Sequence, residues 1–229
     1  MFFNKIKFLI LSDASSNIIF SFIIQKFKNF FIKKKIKLYK NNHRKSLLEK
    51  QITSDYFSSH AYHFAEVGSK LETKFNYLEI GSFEGNSAFF IAKNFPHAYI
   101  HCVDIWSEYP GEKNNLLEKR FDNNLFNLDN IIKFKGTSDN FFFENKKFFN
   151  LIYIDGYHKA DQVYQDCKNA WAVLNEDGYL ICDDYIGAHY HIINENPCFA
   201  INHFLSEIKG QFIVVKVTNS QIFLKKIKK

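Results

Sequence analysis

Three carboxylates and an imidazole crowd the stretch "LIYIDGYHKADQVYQDCKNAWAVLNEDGYLICDDY", residues 151 to 185. Asp155 ends one apolar run, Asp183 and Asp184 end the next, and His158 follows the first by three residues. Short apolar runs bounded by polar residues read as strands buried in a parallel sheet, which puts all three acids at strand ends. Three buried negative charges repel unless something compensates them, and an oxygen-rich set of this kind suits Mg²⁺ or a similar divalent cation. A metal there lowers the pKa of a bound hydroxyl. His158, with an ordinary pKa of about 6.5, is suited to take the proton, and Asp155 is the next candidate base. The plainer alternative leaves Asp184 capping a loop, Asp155 and Asp183 in solvent, and His158 on the surface.

A second group of residues lies earlier, in "LEIGSFEGNS" at 78 to 87. Gly81 and Gly85 let the backbone turn tightly and approach a ligand at the start of a helix, where unpaired N–H groups point outward. The glycines are four apart and Glu79 precedes them, so this is not the Gly-x-Gly-x-x-Gly dinucleotide fingerprint. Asp104 ends the following apolar run, 23 residues after Gly81, where a carboxylate can accept two hydrogen bonds from a ribose diol.

These residues need an alternating scaffold, and the chain supplies one. "NYLEIG" (76 to 81), "YIHCVDI" (99 to 105), "NIIKFKG" (130 to 136), "LIYID" (151 to 155) and "YLICDD" (179 to 184) read as strands. "SAFFIAKNF" is helical, and Val163, Cys167, Ala170, Trp171 and Leu174 form one helical apolar stripe. Pro197 and Gly210 bracket a further helix, and "FIVVKVTNSQIFLKK" reads as a closing hairpin. The fold class expected is a doubly wound α/β domain with an antiparallel end. His60 and His63 fall in a helical pattern and read as surface histidines. His189 and His191 follow the second acidic pair in what reads as a lid loop.

The "E-x-G-x-x-x-G" loop, the "D-x-W" of Asp104 and Trp106, "IDGYH" at 154 to 158 and "DDY" at 183 to 185 together resemble a class I S-adenosylmethionine-dependent methyltransferase. Within that class it resembles the branch of macrocin-type and other sugar or natural-product O-methyltransferases. The resemblance spans about residues 54 to 229, with "DYFSSH" upstream and the "P-x-x-A-I-x-x-F-L" helix near the end. It implies a mostly parallel seven-stranded sheet, S-adenosylmethionine as methyl donor, Glu79 near the donor's amino acid part and Ser138 near its adenine. It also lends metal binding to the aspartates and the role of base to a histidine or an aspartate. The donor site so expected comprises Glu79, Gly81, Ser82, Gly85, Asp104, Trp106, Ser138 and Asp155. The metal site expected is Asp155, Asp183 and Asp184.

Composition bounds the alternatives. The chain has 229 residues, 46% hydrophobic and 18% aromatic, enough for a buried core. Residues 1 to 50 hold 12 Lys/Arg against Asp13 and Glu49, so the remainder, with 18 basic and 22 acidic residues, is mildly acidic. The division expected is a basic, apolar extension at 1–50 and a methyltransferase domain at 51–229. The extension's apolar run is broken by Asp13, Asn17 and Gln25, too short for a spanning helix, and its positive charge follows the apolar part, opposite to a signal peptide. It reads either as a helix lying on a membrane surface or as helices packing on the main domain.

The four cysteines, Cys102, Cys167, Cys182 and Cys198, show no metal or C-x-x-C spacing, so a reducing cytoplasmic setting is expected, peripheral on the inner face of a membrane if the extension is an anchor. The acceptor expected is a hydroxyl of a small molecule or glycan. Nucleic acid is disfavoured as a partner, because "DGYH" replaces the Pro-Pro-aromatic turn of amine methylases and the main domain lacks a net basic charge. Methyl transfer to nucleic acid or protein, and a non-catalytic membrane-associated module, are the competing readings. The glycine spacing disfavours a dinucleotide oxidoreductase.

Overall fold

The computed structural model describes residues 2–107 and 116–228. Its seven strands run in the order β3-β2-β1-β4-β5-β7-β6. The backbone groups into two compact units, residues 31–145 and residues 1–30 with 146–229. Residues 31–50 group with the first strands, and residues 1–30 group with the last.

In the unit of residues 31–145, β1 (Asn76–Ile80), β2 (Tyr99–Asp104) and β3 (Ile131–Lys135) are parallel, with Glu79 beside Cys102 and Asp104 beside Lys135. β1 and β2 are apolar and buried as a parallel interior requires, whereas β3, at the edge, stays half exposed. Helices α3 (Lys33–Ser46), α4 (Ala61–Gly68), α5 (Asn86–Asn94), α6 (Leu116–Leu125) and α7 (Ser138–Glu144) complete the unit. α3 carries seven Lys/Arg on a polar surface, yet His43 is buried and bonded to Asn86 Oδ1 at 2.7 Å at the start of α5. Burial holds the His43 pKa below that of a free imidazole. His63 is also buried, on the inner face of α4 with Phe64 and Val67, and is not the surface histidine expected. Eight residues are too few for hydrophobic periodicity to reveal which face is inside.

In the other unit, β4 (Phe149–Ile154) and β5 (Leu174–Cys182) are parallel, and β7 (Ile222–Lys226) runs antiparallel between β5 and β6 (Phe212–Val217). α8 (Ala160–Val173) buries Val163, Cys167, Ala170 and Trp171 of the predicted stripe, whose last member, Leu174, instead begins β5, and α9 (Pro197–Glu207) starts on its proline. The 218–221 turn closes the hairpin through Thr218 Oγ1, which accepts from Gln221 N at 3.0 Å. α1 (Phe2–Leu11) and α2 (Ser16–Phe31) belong here, with Leu9, Ile18 and Phe22 fully packed. Asn202 of α9 donates to Ser12 O at 2.7 Å between α1 and α2. All four cysteines are buried and free.

Candidate active site

The loop after β1 is shaped by Asp104 at the end of β2. Asp104 Oδ2 accepts from Phe83 N at 2.9 Å and Oδ1 from Trp106 N at 2.8 Å. Phe83 (φ 47°) and Trp106 (φ 40°) both sit in the left-handed region that bulky side chains avoid. One carboxylate thus holds two strained residues, and the Trp106 indole ties them together by donating to Phe83 O at 2.8 Å. Such strain persists only where surroundings over-determine it, and it gathers at ligand sites. Gly85, at φ 79°, begins α5, and a Cβ there would lie 3.0 Å from Leu125 Cδ1, so conformation and space both demand glycine.

Trp106 was expected to touch the donor. It is 1% exposed, with its ring 4.5 Å from that of Phe121 and the Lys133 ammonium 4.8 Å from its centre. Its indole N–H, bonded to Phe83 O, helps hold the loop. Gly81 and Ser82 are joined to the end of β2 through their N–H groups, which both donate to Val103 O. Ser138 is half-buried in the first turn of α7, whose cap Thr137 accepts from Asn140 N.

Glu79 is completely buried on β1. Its Oε1 accepts from Ser87 Oγ and Tyr77 OH, while Oε2, like the buried Ser82 Oγ, makes no hydrogen bond among the described residues. Burial drives the Glu79 pKa up to about 8; the neighbouring hydroxyls restrain it, and the charge of Asp104 adds to it. Two buried polar atoms without a hydrogen bond of good geometry, one on β1 and one in the loop after it, are a demand that a polar ligand or ordered water meets. Burial also raises the Asp104 pKa, and the amides of Trp106 and Phe83 offset part of that rise.

Asp104 has lone pairs beyond the two used by the loop, which is what recognition of a diol requires. Asp104→Ala is expected to weaken S-adenosylmethionine binding by about 1.5 to 3 kcal/mol, the worth of a hydrogen bond to a charged group. Because the same carboxylate restrains the loop, Asp104→Asn serves as the control that keeps one acceptor. Unchanged affinity in a folded Asp104→Ala protein would remove Asp104 from the site.

A buried acid that sequence reading passed over supports the same loop. Glu84 accepts from Thr53 N and Thr53 Oγ1, both at 2.7 Å, and pairs with Arg120 at 3.2 Å. Asn124 donates to Glu84 O at 2.9 Å and accepts from Gln51 N at 2.6 Å. Residues 51–53 are thereby clamped beside the glycine loop. In sequence, a Glu in a polar loop gives no sign that it is buried.

The other unit holds the three aspartates. Asp183 follows β5 and has three protein donors within hydrogen-bond distance. Tyr153 OH lies 2.5 Å and Gln221 Nε2 3.0 Å from Oδ2, and Asp184 N donates to Oδ1 at 2.8 Å. Tyr153 OH also lies 2.9 Å from Asp155 Oδ2. One phenolic proton serves two carboxylates, and burial, with those two charges, keeps the Tyr153 pKa well above the usual phenol value.

Asp184, at φ 51°, is turned elsewhere. Its Oδ2 is 3.0 Å from His158 Nδ1 and its Oδ1 3.2 Å from His189 Nε2, and the two imidazoles stack at 5.0 Å. Among the described residues, Asp155, His158 and Asp184 bring ligand atoms within 4.8 Å of one another; Asp183, expected among the ligands, is not in that group. The bond to Asp184 raises the His158 pKa against the effect of burial. Burial opposes the Asp184 carboxylate, but the two imidazoles outweigh it and hold its pKa below the ordinary value.

His189, left as a loop residue by the sequence, is fixed by Asn196, whose Oδ1 accepts from His189 N at 2.7 Å and Tyr190 N at 3.0 Å. Asn196 also donates to Tyr190 O and Ile192 O, so the segment read as a lid is pinned from within. His191 is exposed beside it. The signal that could have found Tyr153 is its place two residues before Asp155, on the same face of one strand.

Residues 78–185 match the Methyltransf_24 family model, described as a methyltransferase domain. No curated protein matches the chain by sequence. Among solved structures, an O-methyltransferase from Bacillus cereus in complex with SAH is 13% identical, with 92% of this chain and 100% of that one covered and a TM-score of 0.57. The O-methyltransferase TomG from Streptomyces achromogenes, involved in tomaymycin synthesis and solved with SAM, is 10% identical over 93% of this chain and 100% of that one, at a TM-score of 0.55. An rRNA methylase from Streptococcus thermophilus is 12% identical over 77% of this chain and 99% of that one, at a TM-score of 0.54. At these identities the likeness is one of fold.

Proposed function

We infer that the chain, a class I S-adenosylmethionine-dependent methyltransferase with its methyltransferase domain at residues 78–185, carries the donor's methyl to a hydroxyl oxygen of a small molecule or glycan. The observation that carries this reading is the His158–Asp184–His189 array, an imidazole whose Nδ1 is held 3.0 Å from a carboxylate that is itself held by a second imidazole. The sulfonium already activates the methyl, so what the protein must add is position and the removal of one proton from the acceptor. With Nδ1–H donated to Asp184, neutral His158 presents Nε2 as the proton acceptor. The hydroxyl proton passes to Nε2, the hydroxyl oxygen bonds to the methyl carbon, and the methyl–sulfur bond breaks with its electrons left on sulfur. Asp184 fixes the tautomer and steadies the imidazolium that forms.

The same residues would alternatively fit a divalent cation, Asp155 and Asp184 supplying oxygen and His158 nitrogen, in which case His158 would be a ligand and not the base. A mixed set of this kind favours manganese, iron or zinc over magnesium. Such an ion, when bound, would polarise the acceptor hydroxyl and lower its pKa. An acceptor other than nucleic acid is supported by the 22 acidic and 18 basic residues of positions 51–229, which leave no net basic charge for a phosphate backbone.

The test is the pH dependence of kcat/KM with and without chelator. His158 acts only when neutral, and its pKa is raised, so the acid limb should lie above about 6.5. Asp184→Asn removes the chief cause of the rise and leaves only the weaker pull of the Asp183 charge against burial, so the limb should move to lower pH. A limb that stays in place would remove this pair from the chemistry. Depressed activity in chelator, restored by Mn²⁺ or Mg²⁺, is expected for the metal; full activity in chelator would exclude it and leave the histidine.

A further inference from the structure

We propose that the outer face of α1 and α2 is a docking surface for anionic lipid bilayers. α2 is apolar on two opposite sides. Ile18, Phe22 and Gln25 face inward and are buried, while Phe20, Ile24 and Phe27, at i, i+4 and i+7, form a second stripe facing away. Phe20 is 63% and Phe27 68% exposed. α1 repeats the arrangement, with Leu9 buried and Phe3 (81% exposed) and Ile10 outward on either side of Lys7. Isolated apolar residues on a surface are ordinary, but a sustained outward stripe on two successive helices marks an interaction site.

The charges select the partner. Among residues 2–30 the acids number one, Asp13, against Lys5, Lys7, Lys26 and Lys28, and the sequence runs on through Lys33, Lys34, Lys35, Lys37 and Lys40 with no acid before Glu49. Lys5 and Lys26 are near enough to repel. Burial chiefly, and then the Lys26 charge, hold Lys5 below the ordinary lysine range. A phosphate beside such a pair would relieve both ammonium groups. Aromatic side chains flanked by lysines, on helices with no stretch long and apolar enough to cross a membrane, describe a segment that lies in the interface of a negatively charged leaflet.

The test is co-sedimentation of the full chain with vesicles of phosphatidylcholine, with and without phosphatidylserine. Binding should require phosphatidylserine and weaken with added salt. The double variants Phe20→Ser/Phe27→Ser and Lys26→Glu/Lys28→Glu should each bind at least roughly tenfold more weakly. Retained S-adenosylmethionine binding reports that each variant is folded, and the lysine variant carries the test if the phenylalanine variant does not fold. Unchanged vesicle binding by the folded variants, or no binding by the native chain, overturns the proposal. So does a native dimer that Phe20→Ser/Phe27→Ser converts to monomer without any vesicle binding, which would assign the face to a second copy of the chain. None of these outcomes depends on the identity of the methyl acceptor.

Discussion

His158→Ala is expected to lower turnover by about 10²- to 10⁴-fold, the range for loss of a general base, with the deficit shrinking at high pH as the acceptor hydroxyl ionises unaided. Donor affinity should change little, because the donor's ribose and amino acid parts are expected at Asp104 and Glu79 and not at His158. His189→Ala should have a milder effect with the same sign, since His189 reaches the chemistry only by holding Asp184 Oδ1 at 3.2 Å. A small effect of His158→Ala on turnover would transfer the role of base to Asp155, which Tyr153 already orients at 2.9 Å.

The second large effect concerns stability. Glu79 keeps its proton to about pH 8 in the folded chain, against an ordinary value of 4.5. Between those limits the folded state binds one more proton than the unfolded state, so its stability falls as pH rises. This group's contribution is full below about pH 4.5 and is lost as pH passes through about 8, a change of roughly 5 kcal/mol. Denaturant unfolding of the ligand-free protein across this range should show the decline, and Glu79→Gln, whose amide mimics the neutral acid, should flatten it. Parallel pH dependence of the two proteins would show that Glu79 does not titrate in this window. Because the donor is a cation, its binding favours the ionised carboxylate, so affinity should rise from pH 6 toward pH 8 with release of a proton.

What the sequence disclosed and what it hid follow from range. Strands β1, β2, β4 and β5 were legible because a strand buried on both faces is a nearly unbroken apolar run, and the acids ending those runs stood out against it. The antiparallel end was legible from the apolar pattern and the polar turn at 218–220. The burial of Trp106 was hidden, since a buried aromatic residue in a loop and an exposed one look alike in sequence; the contacts with Phe83 O and Phe121 show it. The division of labour between Asp183 and Asp184 was hidden for another reason. Adjacent residues ordinarily point apart, and the left-handed turn at Asp184 directs one carboxylate to Tyr153 and Gln221 and the other to two histidines. Helices α1 and α2 are apolar on more than one side, so periodicity could not distinguish a face that packs from one that remains exposed.

The most direct measurement is transfer of label from methyl-tritiated S-adenosylmethionine to a panel of sugars, phenols, RNA and protein, run with the native chain and with His158→Ala. Label should appear in base-stable methyl ethers of one or more hydroxyl acceptors, and His158→Ala should nearly abolish it while still binding the donor. Label on RNA bases or on protein amines, or undiminished ether formation by His158→Ala, would contradict the account.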